Sequence, residues 1–219
     1  MTDAALLASV IAATLVAGTP LIIVAIGELI VERSGVLNLG AEGMMAVGAV
    51  AAFAVAHAGT GPWLAAVVGM AAGCAMALVF GYVTLTMLAN QVASGLALAI
   101  LGVGLSAFFG KPYESAPLPA VPTLPLPWLS ELPLVGAALF NQHALVYLSW
   151  LLVVWAAWFI DRSRTGLVLR AVGESPSAAH AVGYPVIRIR YLAVAFGGAM
   201  AGLGGAFLSV FYTPLWAEG

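Results

Sequence analysis

The side chains capable of chemistry in this sequence are few, and they stand at the ends of long apolar runs. Asn38 and Glu42 are four residues apart, a spacing that places them on one face of a helix. An amide and a carboxylate so placed can hydrogen-bond a polar solute. Equally, Glu42 can lie at the inner boundary and pair with Arg33. Glu28 and Glu32 also share a face, each within reach of Arg33 as a structural ion pair. Asn90, Gln91 and Ser94 form a second polar group where another apolar run opens. Their amides and hydroxyl can satisfy open backbone groups, join helices together or face a pore. A charge near the bilayer centre costs about 2.5–3.5 kcal/mol, so a carboxylate kept there needs a reason.

Other chemistries lack their residues. No Gly-x-x-x-x-Gly-Lys-Ser/Thr phosphate loop occurs, since Gly110-Lys111 runs into Pro112. His57, His143 and His180 are scattered without metal-ligand spacing and read as surface or interfacial residues. Cys74 is the lone cysteine, a small packing residue that allows no disulfide within the chain. No nucleophile–base pair suggests covalent catalysis. The net charge of -2 gives no reason to expect a nucleic-acid partner.

Composition dictates what must hold these residues. Hydrophobic side chains fill 63% of the 219 positions, charged ones 7%, and the mean hydropathy is +1.09. A soluble domain carries roughly 25% charged residues. Between Ser34 and Gly110 the only Asp, Glu, Lys or Arg is Glu42, so this stretch belongs in lipid. The runs show no two-residue alternation of barrel strands, which leaves helices. The predicted fold class is therefore all-α, a polytopic transmembrane bundle in a single domain over 1–219. Six spans are predicted near 4–30, 40–57, 62–88, 91–110, 142–160 and 191–212. The first begins almost at Met1, without a basic leader or cleavage site, and reads as a retained span.

Punctuation between the runs sets the topology. Gly59-Thr60-Gly61-Pro62 is a turn. Segment 111–141 contains Pro112, Pro117, Pro119, Pro122, Pro125, Pro127 and Pro133, which forbid regular helix over most of it. Trp128 and the apolar run 132–140 suit a membrane surface. Segment 161–190 holds Arg162, Arg164, Arg170, Arg188 and Arg190, five of the seven basic residues, and the positive-inside rule makes it cytoplasmic. Counting spans places the N-terminus, the Gly59 turn and the proline-rich segment outside, and Arg33 inside. Two ladders of small residues allow close helix approach: Gly69, Gly73, Ala77 and Gly81, then Gly197, Ala201 and Gly205 beside Gly198 and Gly202. Each suits a moving interface or static packing.

Within the cytoplasmic segment, Ser175 suits an N-cap, Pro176 the first helical position and Gly183 the stop, with Pro185 beyond. The two-turn helix this predicts is too short to stand alone and calls for a docking partner. The surrounding pattern Arg170-Ala-Val-Gly173-Glu174-x-Pro176-x-Ala178-Ala179-x-x-x-Gly183 resembles the coupling loop of ABC-importer permeases. The resemblance is to the superfamily serving branched-chain amino acids, ribose and related sugars, and nucleosides. The block Gly27-Glu28-x-x-x-Glu32-Arg33-Ser34-Gly35-Val36-Leu37-Asn38-Leu39-Gly40-x-Glu42-Gly43-Met44-Met45 agrees and looks most like the nucleoside and simple-sugar branch. A third block is Ala89-Asn90-Gln91-Val92-Ala93-Ser94-Gly95-Leu96-Ala97-Leu98.

That resemblance implies a permease subunit of an ATP-driven importer in a bacterial-type inner membrane. Its partners would be a second permease, identical or homologous, ABC ATPase subunits and an extracytoplasmic substrate-binding protein, all amid membrane lipid. ATP would be bound by the ATPase partner, with no cofactor in this chain. Asn38, Glu42, Asn90, Gln91 and Ser94 would line the substrate path. Arg170, Gly173, Glu174, Ser175, Pro176, Ala178, Ala179 and Gly183 would couple to the ATPase. Members of the superfamily run on for further spans, so the stop at Gly219 reads as a C-terminal truncation or an unusual assembly. The rival readings are a branched-chain amino acid permease, an ion-driven secondary transporter and a non-transporting scaffold or regulatory subunit. A secondary transporter would show coupling carboxylates or inverted repeats; Glu42 alone is thin support for it.

Overall fold

Apolar runs that cannot hydrogen-bond lipid must satisfy their own backbones, and helices do so within one segment. The structure, a computed structural model, describes residues 3–125, 136 and 139–216. Trp128 and most of the run 132–140, expected at the membrane surface, lie outside the described residues. Helix α1 is Asp3–Arg33, α2 is Ala41–His57, α3 is Pro62–Gly81 and α4 is Gln91–Gly110. Strands β1 (Leu124–Pro125) and β2 (Asn141–Gln142) form a minimal antiparallel ladder. Helices α5 (Ala144–Arg162), α6 (Arg164–Glu174), α7 (Pro176–Ala181) and α8 (Val186–Ala206) follow. Single π-helical turns extend α3 through Tyr82–Thr86 and α8 through Phe207–Tyr212.

This is an all-α membrane bundle with five helices long and apolar enough to cross a bilayer among the described residues. Helix α2 is shorter, with 17 residues. At 1.5 Å per residue it is about 25 Å long, a little under the hydrocarbon thickness. Segment 161–190, where one short helix from Pro176 is expected, holds that helix as α7 and a second, α6, before it. Helix α6 buries one stripe, Gly166, Leu169 and Val172, and leaves Arg164, Thr165 and Glu174 exposed.

Helix α8 is the central span, 78% buried over its most apolar window. The two small-residue ladders explain that burial, because they pack on each other. A Cβ on Gly69 would lie 2.9 Å from Ala206 Cβ, and one on Gly73 would lie 2.7 Å from Gly202 N. Gly48 brings α2 onto Gly202, and Gly27 brings α1 to within 2.8 Å of Met200 Cβ. Close backbone approach maximises van der Waals contact, the main source of helix association in lipid. The larger side chains fill two clusters, one around Ile23, Phe53 and Phe207, the other around Val31, Met44, Phe80 and Val194.

After its π turn the chain doubles back. Leu118 N donates to Pro214 O at 2.8 Å and Ser115 N to Trp216 O at 3.0 Å. That pairing seats the Trp216 ring against Phe53, with centroids 5.4 Å apart, and over Gly110 at the end of α4.

Candidate functional site

The link between α1 and α2 is built by two local devices. Gly35, at φ +80°, closes α1 in a Schellman arrangement: its N–H donates to Glu32 O at 2.9 Å and Val36 N to Val31 O at 3.4 Å. The left-handed φ needs glycine there. Asn38 then forms an Asx turn, its Oδ1 accepting from Gly40 N at 3.0 Å. Its Nδ2 donates to Glu28 Oε1 at 2.8 Å, tying the link back to α1.

This geometry corrects the single-face reading of Asn38 and Glu42. Asn38 lies in the irregular link before α2, is buried, and spends its amide on Glu28 and Gly40. Glu42, in the first turn of α2, is exposed and makes neither ion pair nor hydrogen bond among the described residues. The expected ion pairs of Arg33 with Glu28, Glu32 or Glu42 are absent among those residues, where the ion pair present is Arg170 to Asp161 at 3.9 Å.

Glu42 instead lines a cleft of about 320 Å³ that runs along α2 past Met45 and Ala49. Val103 and Ser106 of α4 form the facing wall, and Gly205, Leu208 and Trp216 close the far end. Ser106 is buried there, and Ser209 nearby donates to Ala49 O at 2.9 Å. The cleft is thus an apolar trough with a carboxylate near one end and a hydroxyl in its wall. Sequence reasoning missed Ser106. It is the lone polar side chain in the run between Ser94 and Lys111, which was a usable signal.

Two members of the second polar group, Asn90 and Gln91, are spent on structure. Asn90 caps α4, its Oδ1 accepting from Ala93 N at 3.1 Å. Gln91 Oε1 accepts from Leu37 N at 2.8 Å, so α4 is pinned to the α1–α2 link. Ser94 is half-buried one turn on. Gly95 and Gly40 let the two segments touch: a Cβ on Gly95 would lie 2.8 Å from Leu39 N. Structure therefore groups Asn38, Asn90 and Gln91 around the start of α2 and α4, and leaves Glu42 facing the cleft.

On the arginine-rich side, α6 docks directly on the α1–α2 link. A Cβ on Gly35 would meet Gly173 Cα at 3.1 Å, and Arg190 Nε donates to Ser34 O at 3.1 Å. Glu32 and Arg33 face Arg170, Gly173 and Glu174 across a pocket of about 210 Å³. Helix α7 begins at Pro176 as expected, but Ser175 makes no side-chain cap bond. Gly183, at φ +96°, stops it, with Tyr184 N donating to Ala179 O at 3.1 Å. Ala179 is buried while Ala178 is exposed, as are Val182 at 77% and Ile187 at 59%. Arg170, Gly173 and Glu174 thus face Glu32 and Arg33 at the end of α1, while α7 and its flanks leave Val182 and Ile187 exposed.

Residues 10–218 match the family described as branched-chain amino acid transport system / permease component. Among curated proteins, TsgC13 of Haloferax volcanii, a permease protein named for a glucose ABC transporter, is 44% identical over 97% of this chain and 66% of its own length. The guanosine ABC transporter permease protein NupQ of Bacillus subtilis is 33% identical over 91% of this chain and 66% of its own. The nucleoside ABC transporter permease protein NupC of Lactococcus lactis is 31% identical over 90% of this chain and 66% of its own. The chain therefore spans 66% of the length of these curated relatives. No solved structure gave a match.

Proposed function

The chain belongs to the branched-chain amino acid transport system / permease component family, and we propose that it is the permease subunit of an ATP-driven importer for a nucleoside or simple sugar. The observation that carries this reading is the family match along nearly the whole chain. The names of the relatives, which concern glucose, guanosine and nucleosides, support the substrate class. The Glu42 cleft adds physical support: a carboxylate and the Ser106 hydroxyl in an otherwise apolar trough suit a hydroxyl-rich solute.

On this reading the cleft is one wall of a path completed by a second permease in a bacterial-type inner membrane. An ATPase subunit docks on α7, where Val182 and Ile187 stand exposed. Movement of α7 passes through α6 and the Gly173–Gly35 contact to the link that carries Asn38 and starts α2. Asn38, Asn90 and Gln91 act here as positioning residues for the mouth of the cleft, and Glu42 as the group that meets substrate.

Two experiments test the reading. A mild-detergent pull-down should bring an ATPase subunit with the chain; recovery of other complexes but no ATPase would refute the importer. Glu42→Gln should lower nucleoside or sugar uptake roughly 10- to 100-fold, the weight of one hydrogen bond to a charged group. Membrane abundance should not change, because Glu42 has no partner to lose among the described residues. Normal uptake by Glu42→Gln would remove it from the path. Competition by leucine in the same assay would favour the branched-chain amino acid reading that the family description carries.

A further inference from the structure

A second cavity, of about 540 Å³, lies away from the Glu42 cleft, between α1, α5, α6 and α8. Its volume is in the range of roughly 300–1,000 Å³ found for ligand pockets. The inner wall is apolar and aromatic. Trp155 stacks on Phe159 with centroids 5.1 Å apart and leans on Phe196 at 5.6 Å, while Ile30 and Leu192 complete the trough. The polar lining consists of Arg164 and Thr165 at the start of α6, with the Tyr184 phenol. Arg164 is exposed and has no ion pair among the described residues.

We propose that this groove is a binding site for an anionic phospholipid, with an acyl chain along the Trp155–Phe196 wall and the phosphate at Arg164. The argument is one of matched chemistry. The trough is apolar along the spans and basic at the boundary, which is the polarity pattern of a lipid and not that of a water-soluble ligand. Arg164 is the charged side chain lining the groove, so its guanidinium favours an anionic head group over a neutral one. The trough also lies beside α6, whose Gly173 end touches the α1–α2 link. A lipid seated there packs against the element that joins the arginine-rich segment to the cleft. This inference does not depend on which solute is transported.

The test uses the full chain in mild detergent, titrated with phosphatidylglycerol or phosphatidylcholine carrying identical brominated acyl chains. Bromine quenches tryptophan on contact, and subtracting a Trp155→Phe variant isolates the signal of Trp155, which is 37% exposed. Phosphatidylglycerol should quench at about fivefold lower concentration, the weight of one basic side chain facing an anionic lipid. Arg164→Gln should bring the two lipids level. Native mass spectrometry supplies a readout independent of Trp155→Phe: wild type should retain phosphatidylglycerol that Arg164→Gln loses. Equal quenching by both lipids, unchanged in Arg164→Gln, would overturn the proposal in favour of ordinary boundary lipid. No quenching of Trp155 by either lipid would overturn it in favour of a protein segment filling the groove.

Discussion

Replacing Asn38 by Ala removes two contacts at once. One is the 2.8 Å bond to Glu28, the other the 3.0 Å bond from Gly40 N. A hydrogen bond contributes about 1 kcal/mol, and about 1.5–3 kcal/mol where the acceptor is ionised, so the expected loss is about 2–4 kcal/mol. The assay is reversible unfolding of the purified chain in mixed micelles, titrated with a denaturing detergent. A double-mutant cycle separates the two contacts. In a Glu28→Leu background, Asn38→Ala should cost only the Gly40 bond, giving a coupling of about 1–3 kcal/mol. Asn38→Asp keeps the Gly40 acceptor but sets a carboxylate against Glu28, and should be as harmful as Asn38→Ala. Combining it with Glu28→Gln exchanges donor and acceptor and should restore most of the loss. If Asn38→Ala costs the same in both backgrounds, the Glu28–Asn38 bond does not hold the link and the reasoning fails.

Three further outcomes are expected. Gly198→Leu would drive a side chain into Ala77 and to within 2.6 Å of Gly73 O, so the folded chain should be lost at a cost at or beyond the usual ~1–3 kcal/mol of overpacking. Gly104→Leu, with nothing within 4 Å of its Cβ position, should be neutral by the same unfolding assay or slightly stabilising. His143, just before α5, is held below its usual range by desolvation, partly offset by a hydrogen bond with the Pro122 backbone. Its folded pKa lies below the unfolded 6.5, so protonation favours the unfolded state. Stability should be fully present above that value and fall as pH drops below it. His143→Phe should flatten the dependence; an unchanged slope in the same titration would contradict the assignment.

The spans were legible because each is a long apolar run bounded by glycine, proline or charge. The 3.6-residue period was of little help, since helices in lipid are apolar all round. Helix α6 escaped notice for the opposite reason. Its sequence from Arg164 to Glu174 is amphipathic and interrupted by Gly166 and Gly173, and both glycines prove to be contact points with neighbouring elements. Asn38 and Glu42 were misread as one face because Asn38-Leu39-Gly40 is an Asx turn, and the Asn-x-Gly pattern could have said so. The Glu28–Asn38 bond was out of reach, since it depends on how the chain reverses after Gly35. Both small-residue ladders were visible in the sequence. That they are partners of each other is a tertiary fact.

At its closest approaches the seam between α2, α3 and α8 is backbone on backbone, at Gly48, Gly69, Gly73, Gly198 and Gly202. Glycine has no rotamers to freeze, so the contact forms without the side-chain entropy loss that accompanies a leucine interface. It also has no rotamers to exchange. A contact of interlocked side chains can yield by repacking, whereas these glycine contacts can only slide or separate. The three helices should therefore travel as a single stiff lever. Whatever bends when the protein moves must do so at its ends, where α3 and α8 finish in π turns and α2 begins at the Asn38 link.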